Sequence, residues 1–332
     1  MKYVTYTLLT IIFLSHSLIN TYWETDPFFD TKFLRQSKRV KNTLVDKHNF
    51  LEVMFSTEDN VQLSGLLKIH QQALCNIVCC AGFYPGLKES MATFFRIFPQ
   101  NCNILFFDAR GHGQSNGTFW SNIHNYGLND YQDIVGAIKY IHKIAPIKTI
   151  IIGLCSGAFN AVHALLYIQE KASLEKYAIK GLIFDSGFGS ISDTIHILSY
   201  HTKQHVLPPF FTTCYQNDSK KSVQKKYPYR ITYYIFSKII NITTYFIRSY
   251  LQKNDKQTNL FDKIGKIKCP IFFIHAYNDR YVSIEHAIRL ASTALKGSCW
   301  WIEYSTHACN HLKHKYVYQE KVLEFFKTVL DT

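Results

Sequence analysis

Lys148 to Asn160, KTIIIGLCSGAFN, is the stretch on which the reading of the whole chain turns. Thr149 to Ile152 is a short β-branched, apolar run without polar interruption, the composition of a strand buried on both faces. Gly153-Leu154-Cys155-Ser156-Gly157 follows it. Ala158, Ala161, Val162, Leu165, Leu166 and Ile168 then recur at helical spacing as far as Glu170. Strand, glycine-flanked turn and helix together make the G-x-Nuc-x-G pattern of a nucleophile elbow. The reason is steric. The central residue sits in a strained backbone conformation, so the residues two away on either side must lack side chains for strand and helix to approach. The residue so raised is Cys155. Placing Ser156 at the centre would leave the glycines at −3 and +1. Five residues alone fit equally well a glycine-rich turn in some doubly wound fold, and the order of the other elements decides between the two.

Leu51 to Phe55 and Val61 to Ile69 flank the polar turn Ser56-Thr57-Glu58-Asp59-Asn60 and read as a hairpin opening a sheet. Leu74 to Cys80 is a third strand, running into Ala81-Gly82-Phe83-Tyr84-Pro85-Gly86 and then a helix carrying Met91, Phe94, Phe95 and Phe98. Asn103 to Phe107 is a fourth, ending in DARGHGQS. Leu128 to Ile144 is an amphipathic helix. After the elbow, strands over Gly181 to Phe184, Ile271 to His275 and Cys299 to Tyr304 end at Asp185, Asp279 and His307. Ser283 to Leu295 and Tyr316 to Leu330 read as helices. Alternating strands and helices predict an α/β fold with a mostly parallel sheet and two antiparallel strands at its start.

The chain of 332 residues, 47% hydrophobic, is long enough for one large core, expected over residues 50–332. Residues 24–49 read as a linker. Met1 to Trp23 has one formal charge, Lys2, and an apolar centre at Leu8 to Leu14. It is expected to be a signal peptide, with Ser15-His16-Ser17 as a cleavage site, or a membrane anchor; the side of the membrane stays open. An insertion over 190–262 is too long for a crossover and is expected to be a helical lid. From Ser190 to Leu260 it holds ten lysines and arginines against three aspartates, interleaved with aromatic residues. Such a surface suits contact with a membrane or an acyl chain. The net charge of +13 is spread over the chain and accompanies no reader motif, so no nucleic-acid partner is expected. The nine cysteines lack the spacing of a disulfide scaffold and read as free thiols.

In an open α/β sheet, ligands sit beyond the carboxyl ends of the strands, where the Gly82-Phe83 turn, Cys155, Asp279 and His307 converge in the order nucleophile, acid, histidine. With FSTEDNVQLSGLL, AGFYPG, FDARGHGQSNG, GLCSGA, LIFDSGFGS and IHAYNDRYVS, the chain resembles α/β-hydrolases of the serine-aminopeptidase and Bem46-like kind from about Phe50 to Leu330. The resemblance implies an α/β-hydrolase fold with a lid and a catalytic Cys155, Asp279 and His307. It also implies backbone N–H groups of Phe83 and Ser156 at an oxyanion. A cysteine at the nucleophile position is similar to dienelactone-hydrolase-like members and favours ester or thioester substrates over amides. Ala81 stands where the family's oxyanion loop usually has histidine, and Ala276 where glycine usually follows His275. A small or lipid-like acyl substrate is expected, with no cofactor. The alternatives are a non-catalytic binding protein, an acyltransferase and a peptidase. Asp185 is the reserve acid. His307, His311 and His314 string together like a metal face, yet lack partner ligands, so solvated histidines and no metal are expected. Asp108, Arg110, His112 and Asp133 read as architectural.

Overall fold

The computed structural model describes residues 31–83, 86–117, 129–194 and 258–331, with separate positions between 234 and 249. Met1 to Trp23 and most of the insertion lie outside the described residues. The chain divides into two compact units, one holding the insertion over 190–259 and the other, the body, holding 31–189 and 260–332. The described positions at 237–242 in the insertion are helical. Among the described residues no helix is long and apolar enough to cross a membrane.

The body is built on an eight-stranded sheet in the order β1-β2-β4-β3-β5-β6-β7-β8. The strands are β1 Leu51–Ser56, β2 Gln62–Lys68, β3 Asn76–Cys80, β4 Asn103–Phe107, β5 Thr149–Leu154, β6 Ile179–Asp185, β7 Ile271–Ala276 and β8 Gly297–Ile302. β2 is antiparallel to both β1 and β4, and every other pairing is parallel. β1 and β2 are the antiparallel hairpin expected at the start of the sheet, and of the two it is β2 that runs against the rest. The central strands β3, β4 and β5 are buried along their whole length, as their unbroken apolar runs require. Each such Ile, Val or Leu side chain removed from water contributes about 1.5–3 kcal/mol.

The flanking helices are α1 Thr31–His48, α2 Tyr131–Ile144, α3 Ser156–Lys171, α4 Ile284–Thr293, α5 Asn310–Lys313 and α6 Lys315–Leu330. The stretch read as a linker is thus helical from Thr31. Leu44 buries itself, Lys41 pairs with Glu52 of β1 at 3.0 Å, and the Leu44 carbonyl accepts from Phe50 N–H at 3.1 Å. The helix expected at Met91 is a 3-10 helix, Lys88–Phe94. Its three-residue repeat stacks Lys88, Met91 and Phe94 on one buried face. The described cysteines are all free thiols, and Cys79, Cys80, Cys102 and Cys269 are buried.

Candidate active site

β5 ends in the elbow. Cys155 stands at φ +54° and ψ −118°, between β5 and the first turn of α3, a conformation that costs on the order of 1–3 kcal/mol. Its N–H donates to the Asp185 carbonyl at 2.9 Å, and its own carbonyl accepts from Ala158 N–H at 3.1 Å. A Cβ on Gly153 would stand 2.4 Å from Ala158 Cα, and one on Gly157 would stand 2.3 Å from the Cys80 carbonyl oxygen. The first glycine lets α3 close on its own strand. The second lets it close on the end of β3. The Cys155 thiol is left half-buried.

Beyond β7 a tight turn presents Asp279. Its Oδ1 accepts from Tyr281 N–H at 2.8 Å and Val282 N–H at 2.9 Å. Its Oδ2 accepts from His307 Nδ1 at 2.7 Å. An ionised carboxylate only accepts, so Nδ1 carries the proton of this bond. Burial raises the Asp279 carboxyl, but the His307 charge and hydrogen bond, with His275 and the Val282 N–H, outweigh it and hold the group below the usual carboxylate range. For His307, burial pushes downward. The Asp279 charge and Cys155, acting as charge and hydrogen-bond partner, win and lift the imidazole well above its ordinary value. The carboxylate and the imidazole are thus joined directly, and Cys155 is near enough for its charge to bear on the ring. Phe83 and Ser156, the expected oxyanion donors, line one small cavity with Cys80, Asp133 and Asn160, a cavity that Cys155, Asp279 and His307 do not line.

The family model for the serine aminopeptidases, S33, matches residues 73–308. The chain belongs to this hydrolase family. It is similar, at 23% identity over 257 residues, to the uncharacterized protein YqkD of Bacillus subtilis (strain 168), which covers 77% of this chain and 72% of that one. Among solved structures it is similar to the esterase Pf2001 of Pyrococcus furiosus, with a TM-score of 0.56 at 19% identity over 85% of this chain and 91% of that one. It is also similar to 2-hydroxy-6-oxo-6-phenylhexa-2,4-dienoate hydrolase of Rhodococcus sp. strain RHA1, with a TM-score of 0.57 at 14% identity over 84% and 99%. The esterase EaEST of Exiguobacterium antarcticum gives 0.54 at 15% identity over 83% and 100%. The fold is that of the α/β-hydrolases.

In this S33 hydrolase the other polar groups at the strand ends have different partners. Asp185 does not face His307. Its Oδ1 accepts from Ser186 Oγ at 2.8 Å and Asn310 Nδ2 at 2.7 Å, and its Oδ2 from Tyr318 at 2.8 Å. His311 corrects the expectation of solvated histidines. It is buried, stacks on Phe94 at 4.0 Å and shares a 2.9 Å hydrogen bond with Thr93, and burial pushes its imidazole down to about 3. The short helix α5 turns that face inward, where the sequence pattern alone suggested solvent. Among the described residues no three metal-ligating side chains gather. Arg110 spans Asp133 and Asp59, each at 2.7 Å, and Lys88 Nζ meets Asp108 at 2.6 Å with both side chains buried. Sequence reasoning missed the supports of the line. His275, fully buried, stands 3.4 Å from Asp279, and the Tyr281 ring leans on His307 at 5.3 Å. Both belong to the IHAYNDRYVS stretch, and their alternation with Asp279 was the available signal.

Proposed function

We propose that this S33 hydrolase cleaves a carboxylic ester or thioester of a small or lipid-like acyl group by covalent catalysis through Cys155, His307 and Asp279. The observation that carries the reading is the 2.7 Å bond from Asp279 to His307, with Cys155 held on a strained turn at the end of β5. In the first half-reaction the Cys155 sulfur attacks the acyl carbon as its proton resides on His307 Nε2. The tetrahedral oxyanion is met by the N–H groups of Phe83 and Ser156, and one such donor is typically worth about 10²–10³ in turnover. The bond to the leaving alcohol or thiol then breaks, and His307 gives that group its proton. In the second half-reaction His307 takes a proton from water, the resulting hydroxide attacks the thioester on Cys155, and the acid and the thiol are released. Asp279 stays ionised throughout and holds the ring in the tautomer that presents Nε2.

The test is turnover of p-nitrophenyl acetate and short acyl thioesters by the wild type, Cys155→Ala and Ser156→Ala. Activity in the wild type and in Ser156→Ala, with loss in Cys155→Ala, supports the reading. Loss in Ser156→Ala with activity kept in Cys155→Ala overturns it. Wild-type protein that neither turns over these substrates nor reacts with thiol-directed acyl probes is a binding protein instead. Acyl product formed on an added alcohol in preference to water makes it a transferase. Membrane association through Met1 to Trp23 and the basic insertion is part of the same proposal. Salt-dependent sedimentation with anionic liposomes, lost when 190–259 is removed, supports it.

A further inference from the structure

We infer that Asp185 is a positioning residue that sets the distance between Cys155 and His307, gripping the nucleophile with its main chain and the histidine loop with its side chain. The inference rests on the proposed roles of those two residues. The main-chain half is the 2.9 Å bond from Cys155 N–H to the Asp185 carbonyl. The side-chain half is a relay of donors. Ser186 gives its hydroxyl proton to Asp185 Oδ1 at 2.8 Å, so the Ser186 oxygen faces the loop as an acceptor. It takes Ala308 N–H at 3.1 Å, and Ala308 is the residue next to His307. Asn310 Nδ2 reaches both Asp185 Oδ1 at 2.7 Å and Ser186 Oγ at 3.2 Å. Tyr318 closes the far side at 2.8 Å.

Two features show that the loop needs this hold. Ser186 has φ +54° and Ala308 has φ +56°, both in the left-handed region that side-chain-bearing residues enter only when the surroundings impose it. In addition, every group aimed at Asp185 gives a proton. A carboxylate accepts from all three at once, whereas an amide has an oxygen for one side only, and a buried polar group left unmatched is costly. An amide at 185 either sets its NH2 against the NH2 of Asn310 or turns over and makes the Tyr318 hydroxyl an acceptor, and in both cases the charge that draws the three donors is gone. Exchanging the two residues restores the match, since the amide then donates to a carboxylate at 310 and keeps an oxygen for Tyr318.

The experiment compares the full-length wild type with Asp185→Asn, with the exchange Asp185→Asn plus Asn310→Asp, and with Ser186→Ala and Tyr318→Phe. Each is read by kcat and KM for p-nitrophenyl acetate, by melting temperature, and by the downfield proton resonance of His307 Nδ1–H, identified by its loss in Asp279→Asn. A misplacement of this kind costs about 10²-fold, here expected in kcat with KM unchanged in Asp185→Asn. The resonance should broaden there, and both kcat and resonance should return towards wild type in the exchange. If Asp185→Asn does not fold, Ser186→Ala, which removes the three bonds of the hydroxyl, and Tyr318→Phe, which removes one, carry the same readouts. The inference is overturned if the variants lose melting temperature while kcat and the resonance of the folded protein stay as in wild type. It is also overturned if the exchange recovers melting temperature without recovering kcat. Should wild type show no turnover, or Cys155→Ala keep it, the catalytic reading fails instead. The resonance in Asp185→Asn and in the exchange then still judges Asp185.

Discussion

Cys155 occupies a backbone conformation that a side-chain-bearing residue adopts only when its surroundings leave no other, and two glycines supply that constraint. Gly157→Ala would drive a methyl into the Cys80 and Ala81 carbonyls, which are backbone and cannot rotate away. Overpacking usually costs about 1–3 kcal/mol. The expected outcome is a loss of at least that size in chemical denaturation, with lost labelling of Cys155 by iodoacetamide in the protein that remains folded. Unchanged labelling would mean that the elbow tolerates a wider turn. The placement of Cys155, Asp279 and His307 beyond the ends of β5, β7 and β8 was legible because each follows an apolar run that gives way to polar residues, a local signal. The partners of Asp185 were not legible. Asn310 and Tyr318 lie 125 and 133 residues away along the chain, and a hydrogen bond of that span leaves no periodic trace.

The elements were legible for a related reason. Strands buried on both faces are written as apolar runs, and β3 to β7 needed little more than that, while β1 and β2 were read from the polar turn between them. β8 is the weaker case, exposed at its start and buried only at Ile302. The helix expected to carry Met91 and Phe94 takes the tighter 3-10 form over Lys88–Phe94 because its shape is imposed from outside. The Lys88 N–H and Nζ both bind Asp108, at 2.8 and 2.6 Å, and Nζ also reaches Ser64 and Gln114. Removing one partner of a buried ion pair typically costs about 3–5 kcal/mol. Lys88→Ala is therefore expected to lose stability on that scale by urea denaturation, and Lys88→Met paired with Asp108→Asn to lose clearly less than the sum of the single changes. Additive losses would show that the pair does not act as a unit.

The molecule as a whole should respond to pH from both sides, through two histidines shifted in opposite directions. The His311 imidazole is held neutral by burial, with its value near 3 in the fold against about 6.5 unfolded. Between those values the unfolded chain takes up a proton that the folded one refuses, so stability falls as pH drops through that window. His311→Phe, which keeps the stack on Phe94, should flatten the melting temperature between neutral and acid pH. A curve as steep as wild type would place the acid sensitivity elsewhere. His307 is raised in the fold. Its contribution is complete below the unfolded value near 6.5 and is lost as pH rises through the folded one. The melting-temperature gap between wild type and His307→Gln should accordingly narrow with alkalinity. A gap that widened would mean the ring is uncharged beside Asp279.

The seam where β6 meets β7 joins stretches of chain that are separated in sequence by the insertion, yet it is closed by the Leu182 to Asp185 ladder on Ile271 to Ile274 and by the Asp185 contacts to Asn310 and Tyr318. Peptide continuity is thus redundant there. A protein nicked once between 190 and 259 should elute as a single non-covalent pair of fragments, and each fragment would bring to the other the reactive groups it lacks.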